Sequence, residues 1–169
     1  MSSGEGSLYL RRLGQTITCH VVGQATLRQS PALRRHVEQC RATGPMTVHI
    51  DLHECTYMDS TFLGTLLMFK RRHGQFALVA PSPECICLLR QMGLGSVFCV
   101  LAEGPPPDET GELLESESDS DSFKRTIVEA HQELAGLSGA AGAIFQVVAA
   151  HLTEDWEAET RKSSATECT

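Results

Sequence analysis

The chain lacks the spacings by which metal centres and catalytic sites usually show themselves in a sequence. Seven cysteines occur (19, 40, 55, 85, 87, 99 and 168), yet none forms a C-x-x-C pair. The two-residue spacing of Cys85 and Cys87 fits the common zinc patterns poorly. Cys19, Cys40 and Cys99 fall on apolar-patterned positions, where a reduced thiol behaves as a small hydrophobe. This usage predicts structural thiols in a reducing compartment. His20, His36, His49, His53, His73, His131 and His151 include no H-E-x-x-H spacing and read as scattered surface residues, so no metal is expected. There is no phosphate-cradling glycine loop, no G-x-S-x-G elbow and no nucleophile–base pair at a recognisable spacing. The chain is therefore expected to be no enzyme and to need no cofactor. Its longest weakly polar run, near 140–150, is too short to span a bilayer, and its polar start shows no signal-peptide pattern. A cytoplasmic protein without membrane insertion is the expectation.

Basic residues are absent from 102–122, which holds eight acids, whereas 8–101 holds ten Lys or Arg against five Asp or Glu. The two parts thus carry opposite charge. The bases of 8–101 are dispersed and without interleaved aromatics, which argues against direct nucleic-acid binding. Gly104-Pro105-Pro106-Pro107 and the Glu/Ser/Asp run 115–122 cannot bury enough apolar surface to offset their ordering entropy. Residues 102–122 are expected to be a disordered or extended acidic linker, one that could fold back on the basic domain and compete with partners.

Between these limits lies a regular pattern. Leu8–Arg12 and Thr16–Val22 alternate apolar with polar around Gly14, a β-hairpin signal. Ser30-Pro31 opens a helix, the serine supplying the capping oxygen, and Gly44-Pro45 stops it. Val48, Ile50 and Leu52 form a strand; a helix follows from about Ser60 to His73. A strand at 76–80, a helix opened by Ser82-Pro83 and ended by Gly93, and a strand at 97–101 complete the series. Such alternation implies right-handed crossovers and a mixed, mostly parallel sheet, entered by the hairpin, with helices packed on it. Beyond the linker, Ile127, Leu134, Ala141 and Val148 repeat every seventh residue, as do Ala130, Leu137 and Ile144. Glycines 136, 139 and 142 interrupt that seam, predicting two helical pieces near 123–137 and 141–158. The expected organisation is a disordered start (1–7), an α/β domain (8–101), the linker (102–122), a C-terminal helical extension (123–160) and a disordered tail (161–169). The seam leans towards a homodimer through the C-terminal helices.

The densest signal is Met58-Asp59-Ser60-Thr61-Phe62-Leu63-Gly64, between a strand and a helix. By helical periodicity Phe62, Leu63, Leu66 and Leu67 face the sheet. Thr61, Gly64, Met68, Arg71 and Arg72 fall on the outward side, with Ser60 at its top. A serine there suits helix capping, with Asp59 as a partner of the helix dipole. The outward mixture of hydroxyl, glycine, methionine and arginine suits a docking surface.

Residues 48–64 resemble the switch region of STAS domains, in particular bacterial anti-sigma factor antagonists. There an apolar strand and a short loop lead to Asp-Ser-Ser/Thr-Gly-Leu-Gly at the start of a helix. The likeness extends over about 8–101, including Val22-Gly23 and Ser82-Pro83. Phe62 stands where the family usually has glycine, and Gly23-Gln24-Ala25-Thr26 where it usually carries acids. The resemblance implies a STAS-like α/β fold and partner switching that regulates transcription. The partner would be an anti-sigma factor that is also a GHKL-type serine kinase. It would phosphorylate Ser60, and a PP2C-type phosphatase would reset the cycle. Asp59, Ser60, Thr61, Gly64, Met68 and Arg71 would form the partner surface. The alternative is a STAS scaffold without a phosphoswitch, a subunit of a transporter or signalling assembly.

Overall fold

Gly14, at φ 60°, turns the chain between two strands paired from Ser7↔Val22 to Leu13↔Thr16. Only glycine adopts that left-handed conformation without steric cost. These strands are β1 (Ser7–Leu13) and β2 (Thr16–Ala25). The computed structural model describes residues 4–104, 111–115 and 119–166, so parts of the expected start, linker and tail (1–3, 105–110, 116–118 and 167–169) lie outside the described residues. After β2 come helix α1 (Ser30–Arg41), strand β3 (Thr47–Met58), helix α2 (Ser60–Arg72), strand β4 (Phe76–Val79), helix α3 (Pro83–Gln91) and the two-residue strand β5 (Val100–Leu101). A two-residue strand β6 (Glu112–Leu113) and helices α4 (Ser120–Ala135) and α5 (Gly139–Thr166) follow.

The sheet order is β5-β4-β3-β2-β1-β6. From β2 to β5 neighbours run parallel; β1 and β6 pair antiparallel at the other edge. This is the mixed, mostly parallel sheet that the alternation of elements implies. Ile17, Cys19 and Val21 of β2 and Val48, Ile50 and Leu52 of β3 point one way and are fully buried. Against them pack Leu33 and Val37 of α1 and Phe62, Leu63 and Leu66 of α2. Burying each such side chain stabilises the fold by roughly 1.5–3 kcal/mol.

Several local expectations are corrected. Ser30 does not cap α1: the cap position is Gln29, and Ser30 Oγ donates to the Thr26 carbonyl at 2.9 Å. A turn closed by Gln29 N and Thr26 O moves the helix start one residue earlier, leaving Ser30 to bond back along the chain. Ser82, before the same kind of proline, does cap α3 through Cys85 N. The linker, expected as disordered or extended, is not disordered at Glu112 and Leu113, which are extended and join the sheet beside Leu10 and Tyr9. Nor is 161–166 an irregular tail, since α5 continues to Thr166. At the start, Glu5 bridges to Gln24, so order begins ahead of β1.

Candidate functional site

The loop from β3 into α2 is fixed by one carboxylate. Asp59, at φ −85° and ψ 172°, occupies the cap position of α2. Its Oδ1 accepts from Phe62 N at 2.8 Å and its Oδ2 from Leu27 N at 2.7 Å. Asp59 therefore closes the free end of α2 and ties it to the segment that follows β2. Hydrogen bonds to an ionised acceptor are the stronger kind. The capping role expected of Ser60 thus belongs to its neighbour, and Ser60 is the first residue of the helix with its hydroxyl unspent.

That hydroxyl meets α4. Ser60 Oγ lies 3.0 Å from His131 Nε2, and His131 Nδ1 lies 2.7 Å from the Ile127 carbonyl oxygen. A carbonyl can only accept, so Nδ1 carries the proton. In the neutral ring Nε2 then offers a lone pair, to which Ser60 donates. His131 is buried, contrary to its reading as a surface histidine. It lies between Ile127 and Leu134 on one face of α4, and a histidine amid an apolar seam was the available signal. Phe145 of α5 packs beside its ring at 6.0 Å between centroids.

The first turns of the outward stripe of α2 are covered in the same way. Thr61, Gly64 and Met68 are buried, where a solvent-facing surface was expected. The reason is a close helix crossing: a Cβ on Gly64 would stand 2.2 Å from the Ala130 carbonyl oxygen. Arg71 remains exposed and donates from Nη1 to Glu133 Oε2 at 2.6 Å and to the Glu133 carbonyl at 3.2 Å. Arg34 of α1 pairs with Glu129. Acids of α4, beyond the 102–122 stretch, thus reach the basic domain. Ala130 and Leu134, two members of the seven-residue seam, are used up inside the chain, whereas Ile144 and Val148 stay exposed. Phe62 points into the core, fully buried, so its ring does not crowd Ser60.

Chemically, the site offers a hydroxyl at the positive end of a helix, where an anion is tolerated, beside a carboxylate already engaged by two amides. A Ser–His contact can also serve nucleophilic catalysis. Here, however, the imidazole is oriented by a main-chain carbonyl rather than a carboxylate, and both side chains sit between packed helices.

A profile of the family described as "Mlab, STAS domain" matches residues 8–102, more than half of the chain. The chain belongs to the STAS domain family. Two solved structures share the fold. The unphosphorylated form of the anti-sigma factor antagonist SpoIIAA aligns with a TM-score of 0.51 at 18% identity, covering 59% of this chain and 89% of that one. An anti-sigma factor antagonist from Mycobacterium paratuberculosis aligns at 0.50 and 21% identity, covering 57% and 86%. Comparison with curated proteins finds no significant match. The STAS match ends at residue 102, so α4, which covers Ser60 and Gly64 of α2, lies beyond it. Among the described residues, no helix is long and apolar enough to cross a membrane.

Proposed function

We propose that this STAS domain is an anti-sigma factor antagonist in a phosphorylation-controlled partner switch that regulates transcription, with α4 holding its partner surface shut. Asp59, Ser60, Thr61, Gly64, Met68 and Arg71 make up that surface. The partner is an anti-sigma factor of the GHKL-type serine kinase class, and a PP2C-type phosphatase reverses the modification. One observation carries the reading: Asp59 does the capping, so the Ser60 hydroxyl is spent on α4 instead of on its own helix.

A phosphate on Ser60 adds about −1.5 to −2 charges at neutral pH. It also removes the proton that Ser60 gives to His131 and puts bulk where Oγ and Nε2 stand 3.0 Å apart. The helix end accommodates the charge, so the domain stays folded while any surface packed over residue 60 is displaced or repelled. A kinase needs α4 moved aside first, which makes the helix a gate on the modification.

The test is incubation of the full chain, and of its His131→Ala variant, with ATP and a GHKL-type serine kinase encoded beside it. Phosphate on Ser60, appearing faster in the variant, is the expected result. In binding titrations Ser60→Ala should hold the kinase constitutively and Ser60→Asp should not. Equal affinity of those two variants, with no phosphate on Ser60, would favour the second reading, a STAS scaffold of a transporter or signalling assembly. The coverage of Ser60 by α4 is the observation on that side.

A further inference from the structure

On the polar side of β2 and β3, away from the buried Cys19, Val21, Ile50 and Leu52, two histidines and two carboxylates converge. His20 and Asp51 are partners in the parallel register. The next pair is Val22↔Glu54, so β3 spends one residue more than β2 over this step. Such a bulge re-aims side chains, and here it brings His53 and Glu54 round to the same place. Asp51 Oδ1 also accepts from His53 N at 3.1 Å, which fixes the bulged backbone.

The contacts form a ring. Asp51 faces both Nδ1 atoms, Oδ2 at 3.2 Å from His20 and Oδ1 at 3.1 Å from His53. Glu54 faces both Nε2 atoms, Oε2 at 3.3 Å from His20 and Oε1 at 3.5 Å from His53. A neutral imidazole carries one proton, so it can satisfy only one of its two carboxylate contacts. His20 shows the consequence: Nε2 bonds Glu54, while Nδ1 is sealed from solvent, faces Asp51 and makes no hydrogen bond. A lone pair held against a carboxylate oxygen is relieved by a positive charge, whether a second ring proton or a bound cation.

We infer that His20, Asp51 and His53 bind a divalent transition-metal cation of the Zn2+ class, with Glu54 positioning the imidazoles. One ligand atom from each of the three residues lies within 4.8 Å of the others. Ligand bonds of about 2.0–2.1 Å around a tetrahedral ion put neighbouring donors about 3.3 Å apart, close to the separations already present around Asp51. Imidazole nitrogen with carboxylate oxygen suits Zn2+, Co2+ or Ni2+ rather than Ca2+ or Mg2+, which prefer all-oxygen shells. Glu54 stands behind the His20 ring as a metal-bound histidine requires, its Oε2 hydrogen-bonded to Nε2. Its Oε1 is 3.5 Å from Nε2 of His53, whose ring bonds Asp51 through Nδ1 in the absence of the ion. His53 is partly exposed, which leaves an approach for the ion and room for water to complete its shell. The histidines stand 33 positions apart in sequence (20 and 53), so no short motif marks the set.

The experiment is equilibrium dialysis of the full chain, stripped with chelator, against Zn2+, with metal and protein quantified. Calorimetric titration of the wild type and the His53→Gln, His20→Gln and Glu54→Gln variants accompanies it. One Zn2+ per chain is expected in the wild type, lost in His53→Gln and weakened about 10–100-fold in Glu54→Gln. The bound ion should also raise the thermal midpoint of the wild type and leave that of His53→Gln unmoved. His53 is exposed enough for its variant to fold, which circular dichroism checks. Failure to bind Zn2+, Co2+ and Ni2+ would overturn the inference. Binding that survives His53→Gln unchanged would overturn it equally, showing an adventitious ion only.

Discussion

Gly64 and Ala130 meet backbone to backbone: a methyl group on Gly64 would lie 2.2 Å from the Ala130 carbonyl oxygen and 2.7 Å from the Ala130 Cβ. The obstruction is main chain, which cannot swing aside as a long side chain would. Gly64 is therefore the point at which α4 is seated on α2, 66 positions away in sequence.

Gly64→Ala separates two effects of opposite sign. Within α2 alone, alanine should favour the helix by about 1 kcal/mol. Against α4, overpacking should cost about 1–3 kcal/mol. The expected outcome is faster amide exchange across 123–135 with protection of the sheet retained, and faster modification of Ser60. Exchange in 123–135 equal to wild type would show that α4 is not seated through this contact.

Asp59→Ala removes both bonds of the carboxylate at once, to Phe62 N and to Leu27 N. A lost helix cap and a stranded loop amide together predict a loss of about 2–4 kcal/mol in denaturant unfolding. Asp59→Asn, which keeps one carbonyl oxygen, should fall between. A change within about 0.5 kcal/mol, the range of ordinary surface substitutions, would mean that the loop is held by something else.

His73, buried at the far end of α2, has its pKa lowered from 6.5 by burial first, then by Arg41 and Arg72, with Glu38 opposing. The unfolded chain then binds a proton more readily than the folded one. The contribution is full above about pH 6.5 and is lost as pH falls through the lowered folded value. His73→Gln should flatten the rise in stability between pH 5 and 7 when thermal midpoints are measured across that range. An unchanged slope would remove His73 as its source.

Much of the fold was legible because each signal was local. Alternation around Gly14 gave the hairpin, and Ser82-Pro83 gave a capped helix start. Ser30-Pro31 carries the same dipeptide without the same cap, because the turn Thr26–Gln29 shifts the boundary, and nothing in two residues records that. β6 is two residues long and has no periodicity to read. At the site, the motif marked Ser60, but the role of its hydroxyl depended on residue 131. Helical periodicity separates the faces of α2 without telling whether the second face meets water or another helix. Thr61, Gly64 and Met68 are small or weakly polar and suit either. The His20–Asp51–His53 set escaped notice for the same reason: strand register, not spacing along the chain, brings it together.

β6 gives the closure of α4 its range. It pins Leu113 beside Tyr9, and Leu114 N bonds the Leu8 carbonyl, so only positions 115–118 separate this fixed edge from Asp119, the cap of α4. On so short a leash, a detached α4 stays at high local concentration around α2, the millimolar regime of short tethers. In the partner switch proposed above, an incoming protein would compete with that helix each time, its apparent affinity reduced by the fraction of time the surface stands open. Lengthening 115–118 is thus a way to retune the whole equilibrium of the proposed switch while leaving Leu114 and the Asp119 cap in place.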